Sequence, residues 1–359
     1  MAKILLKNGK IFDGKRFLSG SVLTEEEKIA VIGDVNEEAA EGAIVIDAEG
    51  CIVCPGLVDI HVHTDELSGD PYGFPALLET VPFGVTAAVD AAAGEPREEI
   101  LSLLPIRLAA LASLPIRDGK CDPAAAEAIL KKYGDRALGI KIYYDRGIEN
   151  GCTLSHIAEA SAFAHAHGRI VMVHCTGSEA SMAELASVLS AGDIITHAYH
   201  GAPNDISQNN YEAYRIAKAR GVIIDAGMAG GVHTDFSILR AAIQNGFLPD
   251  VISTDITRSS AYKRGGIYGM TMCMSICRAL GMEETAVLRA VTSSAAKAVK
   301  REGEWGRLAV GSAADIAVLS YEKQNVDITD RAKNRVVLNE GYACRLTVAN
   351  GKILYRNGT

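Results

Sequence analysis

Cys54-Pro-Gly-Leu-Val-Asp-Ile-His-Val-His-Thr64 is the stretch on which the reading of the chain turns. Leu57, Val58 and Ile60 form a short apolar run that reads as a buried strand. His61 and His63 close it. Side chains two apart on a strand leave the same side, so both imidazoles can reach one metal ion.

Outward from this stretch the middle of the chain alternates strand and helix. Apolar strands are read at 84–90, 106–112, 137–143, 169–174, 192–197, 221–225 and 250–255. Helical patterns fall between them, at 123–132 (with Pro123 at the first helical position), 154–167, 179–189 and 237–245. With the strand before His61 that makes eight, and eight strands alternating with helices predict an α/β protein built on a (β/α)8 TIM barrel. A doubly wound sheet is the rival, but no Gly-x-Gly-x-x-Gly turn follows any strand.

Both chain ends read as short strands. Lys3 to Phe12 reads as strand, Asn-Gly turn, strand, and Cys344 to Tyr355 repeats the pattern. The expectation is a small β-sandwich domain made from residues 1–54 and 307–359, with a barrel of residues 55–306 inserted between them.

Composition narrows the partners. The 359 residues are 48% hydrophobic and 22% charged, with a net charge of −8 and no basic patch, so neither nucleic acid nor an anionic membrane is expected. No apolar run reaches the roughly 18 residues that span a bilayer. The N-terminus alternates too early for a signal peptide. Eight scattered cysteines read as reduced thiols of a cytoplasmic protein. Cys51-Ile-Val-Cys54 has no second pair, and its apolar filling argues against a metal or redox role. The expected partner is a small-molecule substrate.

In a barrel, the C-terminal ends of the strands share one mouth. Strand one brings His61 and His63 there, strand four Lys141, strand five His174, strand six His197 and strand eight Asp255. Four imidazoles and a carboxylate are ligands for a borderline-soft divalent ion such as zinc. Of the other candidates, His200 follows strand six, and His233 sits in a glycine-rich loop after strand seven. Arg146 and Arg258 follow strands four and eight, where either could hold a substrate carboxylate. Tyr143 and Tyr144 could line the pocket or pack as core. His165 and His167 sit at a helix C-terminus and read as structural.

This constellation resembles the amidohydrolase superfamily over nearly the whole chain. The resemblance is carried by Pro55-Gly-Leu-Val-Asp-Ile-His-Val-His63, by Gly84-Val-Thr86, and by Ser293-Ser-Ala-Ala-Lys297 with Gly306-Arg-Leu-Ala-Val-Gly-Ser-Ala-Ala-Asp315. Within it, Val173-His174-Cys-Thr-Gly-Ser178, Thr196-His197-Ala-Tyr-His200-Gly201 and Ser253-Thr254-Asp255 resemble a deacetylase subgroup of dihydroorotase-like architecture. The resemblance implies two divalent metal ions, zinc by preference. His61, His63 and Asp255 would hold one, and His174 and His197 the other. Lys141 would bridge them as a carbamate formed with CO2, since an ammonium cannot ligate a cation. It further implies hydrolysis of an amide or ester of a small acylated acid, with Asp255 moving the proton, and by analogy a homo-oligomer. Dihydroorotases usually follow His-x-His with Leu-Arg, whereas Thr64-Asp65 follows here. An adenine deaminase would need an acid-base glutamate after His174, and Glu179, read as starting a helix, does not match. Relatives often carry Gly-His-Gly after strand seven, where this chain has Met228. A cyclic amidase or deaminase of the same superfamily is the alternative, and a non-catalytic homologue is the reading from another class.

Overall fold

The computed structural model describes residues 3–66, 72–148, 151–201, 203–263 and 267–358. Seven parallel strands form one curved sheet in chain order: Leu57–Val62, Val85–Ala93, Arg107–Ser113, Ala137–Tyr143, Ile170–His174, Ile194–Thr196 and Ile223–Ile224. The eighth segment closes it. Val251 bridges to Asp225 on one side and Ile256 bridges to Val62 on the other, both in parallel sense. The eighth segment has no continuous ladder because it lies between two strand ends and makes only these bridges and a few bonds, among them Asp255 N–H to the His61 carbonyl.

One apolar cluster collects Val58, Ile60, Val89, Leu111, Met172, Ile194 and Val251, side chains from around the ring, and fills the barrel. A second, larger cluster packs the outer faces of the strands against the helices. The helices lie close to their predicted places, at Pro123–Tyr133, Leu154–Ala166 and Phe236–Gln244. One starts later than expected: Met182–Val188 begins after Ser181, not at Glu179. Ser181 and Glu184 satisfy each other's backbone N–H groups in a capping box, which fixes the start there.

Strands from both chain ends lie in two further sheets. A four-stranded sheet holds Lys28–Gly33, Ser21–Glu25, Lys3–Lys7 and Ile44–Asp47. A six-stranded sheet runs Lys352–Arg356, Arg335–Ala349, Ile316–Thr329, Cys51–Pro55, Lys10–Phe12 and Phe17–Leu18. The C-terminal Asn350-Gly351 turn is a hairpin, with both residues at positive φ and Ala349 paired to Lys352. The N-terminal Asn8-Gly9 turn is not. Its flanking strands belong to different sheets, because Lys3–Lys7 pairs with Ser21–Glu25 and Ile44–Asp47 instead. Cys51 and Cys54 pack into different apolar clusters, so the pair cannot chelate.

Gly56 carries the chain from the terminal sheet into the first barrel strand. A Cβ there would lie 2.0 Å from Thr86 Oγ1, so only glycine allows this close crossing.

Candidate metal centre and its pocket

Strict alternation from Val58 and Ile60, which face the barrel interior, would send His61 and His63 outward. An irregularity in pairing between Asp59 and Val62 prevents this: those four residues span only Ala88 to Asp90 on the neighbouring strand. The extra residue reverses the phase, so His61 and His63 point inward while Val62 packs outward. Strand four does the same at Leu138, where Ala137 to Gly139 opposes Ala110 to Leu111. Leu138 and Lys141, three residues apart, thus share the inner side. Strands six and eight use backbone instead of bulges: His197 and Asp255 have φ of 64° and 48°. Left-handed backbone at two non-glycine residues costs energy, and such strain gathers at functional sites.

These devices bring all six predicted ligands to one mouth. His61, His197 and Asp255 offer ligand atoms within 4.8 Å of one another, and so do His174, His197 and His233. His197 belongs to both groups. His63 Nε2 lies 3.0 Å from Asp255 Oδ1, and His61 Nε2 lies 3.2 Å from the same oxygen. Lys141, fully buried, sets its Nζ 2.8 Å from His61 Nε2. His233, expected in the substrate pocket, stands against the ligands: its ring centroid is 4.4 Å from that of His197 and 5.1 Å from that of His174.

The rings of His197, His61 and His174 each have a partner that fixes their orientation. His197 Nδ1 donates to the Gly227 carbonyl at 2.6 Å, leaving Nε2 as its lone pair. Thr196 donates its hydroxyl to Asp225 at 2.7 Å, so its oxygen accepts from His61 Nδ1 at 3.0 Å and His61 Nε2 is the bare nitrogen. His174 Nε2 donates to the Asp145 carboxylate at 3.1 Å, leaving Nδ1. Such partners orient metal-binding imidazoles and raise their basicity. The sequence reading did not find Asp145, Thr196 or Asp225 in these roles. Each also stands at or beside a strand end, which was the signal available.

Charge is held in the form a cation needs. Burial pushes His61 and His197 well below the ordinary imidazole range, with Lys141 adding to it at His61 and the neighbouring rings at His197. Burial also lowers the Lys141 amine to about 8, against the pull of Asp255, Asp225 and Asp90. Burial would raise the Asp255 carboxyl, but His61, His63 and His233 outweigh it and keep it well below the carboxylate range. Lone pairs from neutral rings and an ionised carboxylate suit divalent ions, and burial brings the Lys141 amine far nearer to deprotonation than an ordinary lysine.

Beside this cluster opens a cavity of about 710 Å³. Asp145 and Thr176 form part of its wall, and they hold His174 and, at 3.1 Å, His233. His200 and Arg146 line it as well. Arg258 does not; it pairs with Asp65, at 3.0 and 3.1 Å to the two oxygens. Tyr143 places its ring beside His174, and Tyr144 packs inward with its hydroxyl accepting from Ala180 N–H. His165 binds Asp193, and His167 binds the Phe163 carbonyl at the end of its helix, as structural roles require.

The profile of the amidohydrolase family matches residues 52–354. A deacetylase of Agrobacterium fabrum is 29% identical over 92% of this chain and 86% of its own length. Among solved structures, a dihydroorotase superposes with a TM-score of 0.85 at 23% identity, covering 99% of this chain and 98% of that one. An adenine deaminase does so with a TM-score of 0.85 at 21% identity, covering 99% of each. At these identities the two structures speak for the fold alone.

Proposed function

Because the chain belongs to the amidohydrolase family, we propose that it is a zinc-dependent cytoplasmic deacylase, cleaving the amide or ester bond of a small acylated acid. The observation that carries this is the convergence of His61, His63, His174, His197 and Asp255 around the buried Lys141. The relative at 29% identity, a deacetylase, supports the choice of reaction. Eight free cysteines suit a reducing compartment.

His61, His63 and Asp255 would hold one divalent ion, and His174 and His197 the other, with His233 placed to assist. Lys141 would join the two as a carbamate. Its amine must be neutral to add CO2, and a pKa near 8 leaves on the order of a quarter of it neutral at pH 7.5, against roughly 0.1% for an ordinary lysine. When bound, the ions supply acidified water and polarise the scissile carbonyl. The chain supplies the proton carrier. Asp255 Oδ1 is engaged by His63 Nε2 at 3.0 Å, so Oδ2, 3.8 Å from His197 Nε2 and 4.0 Å from His233 Nε2, is the oxygen that takes a proton and returns it to the leaving atom. Tyr143 sets its ring beside His174 and 5.3 Å from Lys141 Nζ.

The test is metal content together with turnover of N-acetyl and N-formyl amino acids, O-acetyl 2-hydroxy acids, dihydroorotate and adenine. Hydrolysis of an acylated acid, lost in Asp255→Asn, would support the reading. Turnover of dihydroorotate or adenine alone would move the chain to the cyclic amidase or deaminase branch. A protein that binds no metal would overturn the reading.

A further inference from the structure

The terminal strands do more than stand beside the barrel. The hairpin of Ile316–Thr329 and Arg335–Ala349 is long, and its tip reaches the barrel mouth. There it is bolted down. Asp330 Oδ2 accepts from Phe236 N–H at 2.6 Å, at the start of helix Phe236–Gln244. Asn334 donates to Asp235 at 2.9 Å, and Arg331 N–H donates to the Gly231 carbonyl at 3.0 Å. The backbone of the tip is therefore fixed against the loop that carries His233 and Thr234.

This docking delivers Arg331 to the wall of the 710 Å³ cavity. Among the described residues its guanidinium makes no hydrogen bond or ion pair. Arg146 lines the same cavity, and among the described residues its one ion contact is Glu179 at 4.0 Å, with both side chains more than half exposed. Such a contact holds a guanidinium weakly. The cavity's two carboxylates are already engaged: Asp145 by His174 and by Gly147 N–H, Asp235 by Ser237 and Ile238 N–H and by Asn334. The wall's formal charges balance, two carboxylates against two guanidinium groups, and the charged donors left free for a ligand are the guanidinium groups. Two buried polar atoms on this wall, His200 Nε2 and Thr234 Oγ1, also have no hydrogen-bond partner among the described residues.

We propose that Arg331, with Arg146, receives the carboxylate of the substrate, so that the terminal β-strands contribute a specificity residue to the barrel's site. The planar forks of two guanidinium groups match a carboxylate's geometry. The cavity adjoins the ligand cluster through Asp145 and Thr176, so an acid anchored there presents its acyl group toward the histidines. The reaction assigned to the acyl end rests on the function proposed above; the anion site does not.

The experiment pairs acids with their neutral counterparts: N-acetyl-D- and L-alanine and N-acetyl-D- and L-phenylglycine, each against its primary amide. Dissociation constants are measured by titration on the zinc-loaded protein, and KM and kcat wherever turnover occurs. The wild type should favour at least one acid over its amide by about tenfold or more, as charge-assisted hydrogen bonds allow. Arg331→Gln should raise Kd or KM for that acid about 10–100-fold, leave kcat within about threefold, and leave the amide unmoved. Arg331→Lys should recover part of the loss. Acid preference lost in the variant, with no probe hydrolysed, would uphold the anion site and count against the proposed reaction. No acid preference in the wild type on any pair, a preference that survives Arg331→Gln, or equal losses for acid and amide would each overturn the proposal.

Discussion

Gly227→Ala tests whether the ligand geometry is built into the backbone. Gly227 has a φ of +50°, and its carbonyl accepts from His197 Nδ1 at 2.6 Å. A Cβ at this position would lie 2.3 Å from Thr196 Oγ1 and 2.6 Å from His197 Nδ1. Ordinary contact begins near 3.4 Å, so the His197 ring must retreat by roughly 0.8 Å or the loop must move. Left-handed backbone costs an alanine about 1–2 kcal/mol, and overpacking a close site adds about 1–3 kcal/mol. The stiffer unfolded chain returns about 0.4–1 kcal/mol. The net expectation is a loss of about 1–4.5 kcal/mol, read by urea unfolding of the chelator-treated protein. The same shift displaces His197, which both candidate ligand groups share, and a misplacement approaching 1 Å should lower kcat on the order of 100-fold. The reasoning fails if the variant unfolds within about 0.5 kcal/mol of the wild type and keeps full metal content.

Other perturbations probe neighbouring parts of the site. Asp145→Asn removes the carboxylate that accepts from His174 Nε2, and should weaken one of two bound ions about 10–100-fold in a competitive chelator titration while the other holds. Asp255→Asn should lower kcat by about 10²–10⁴-fold with little change in secondary structure by circular dichroism, since its proton cannot be replaced by an amide's. Stripping the metal should lower the thermal midpoint, and zinc at about 100 times its Kd should restore about 2.7 kcal/mol. Lys141→Ala should abolish the second ion, whereas stripped wild-type protein should reload zinc faster with added bicarbonate than without it, measured by activity recovery.

The order of chemistry along the chain was legible without coordinates. Strands ending in His61, His63, Lys141, His174, His197 and Asp255, separated by helices, imply a barrel whose mouth gathers those side chains. Local patterns carry that much, because hydrophobic period and strand-end position are properties of short segments. The helix after His174 was misplaced only until its cap was seen, since Ser181 and Glu184 decide a start that hydrophobic spacing blurs.

Local patterning thus reaches as far as the barrel, the ligand types and their order. Phase and partnership come from the packing of distant segments. The bulges in strands one and four turn His61, His63 and Lys141 inward against simple alternation, and a bulge depends on the neighbouring strand's register. His233 joins the ligands, Arg258 is drawn to Asp65, and Arg331 arrives at the mouth from a hairpin that follows the last barrel ligand, Asp255, far along the chain. Those outcomes depend on contacts between segments far apart in the chain, and pairwise packing across such distances leaves no periodic mark in either segment alone.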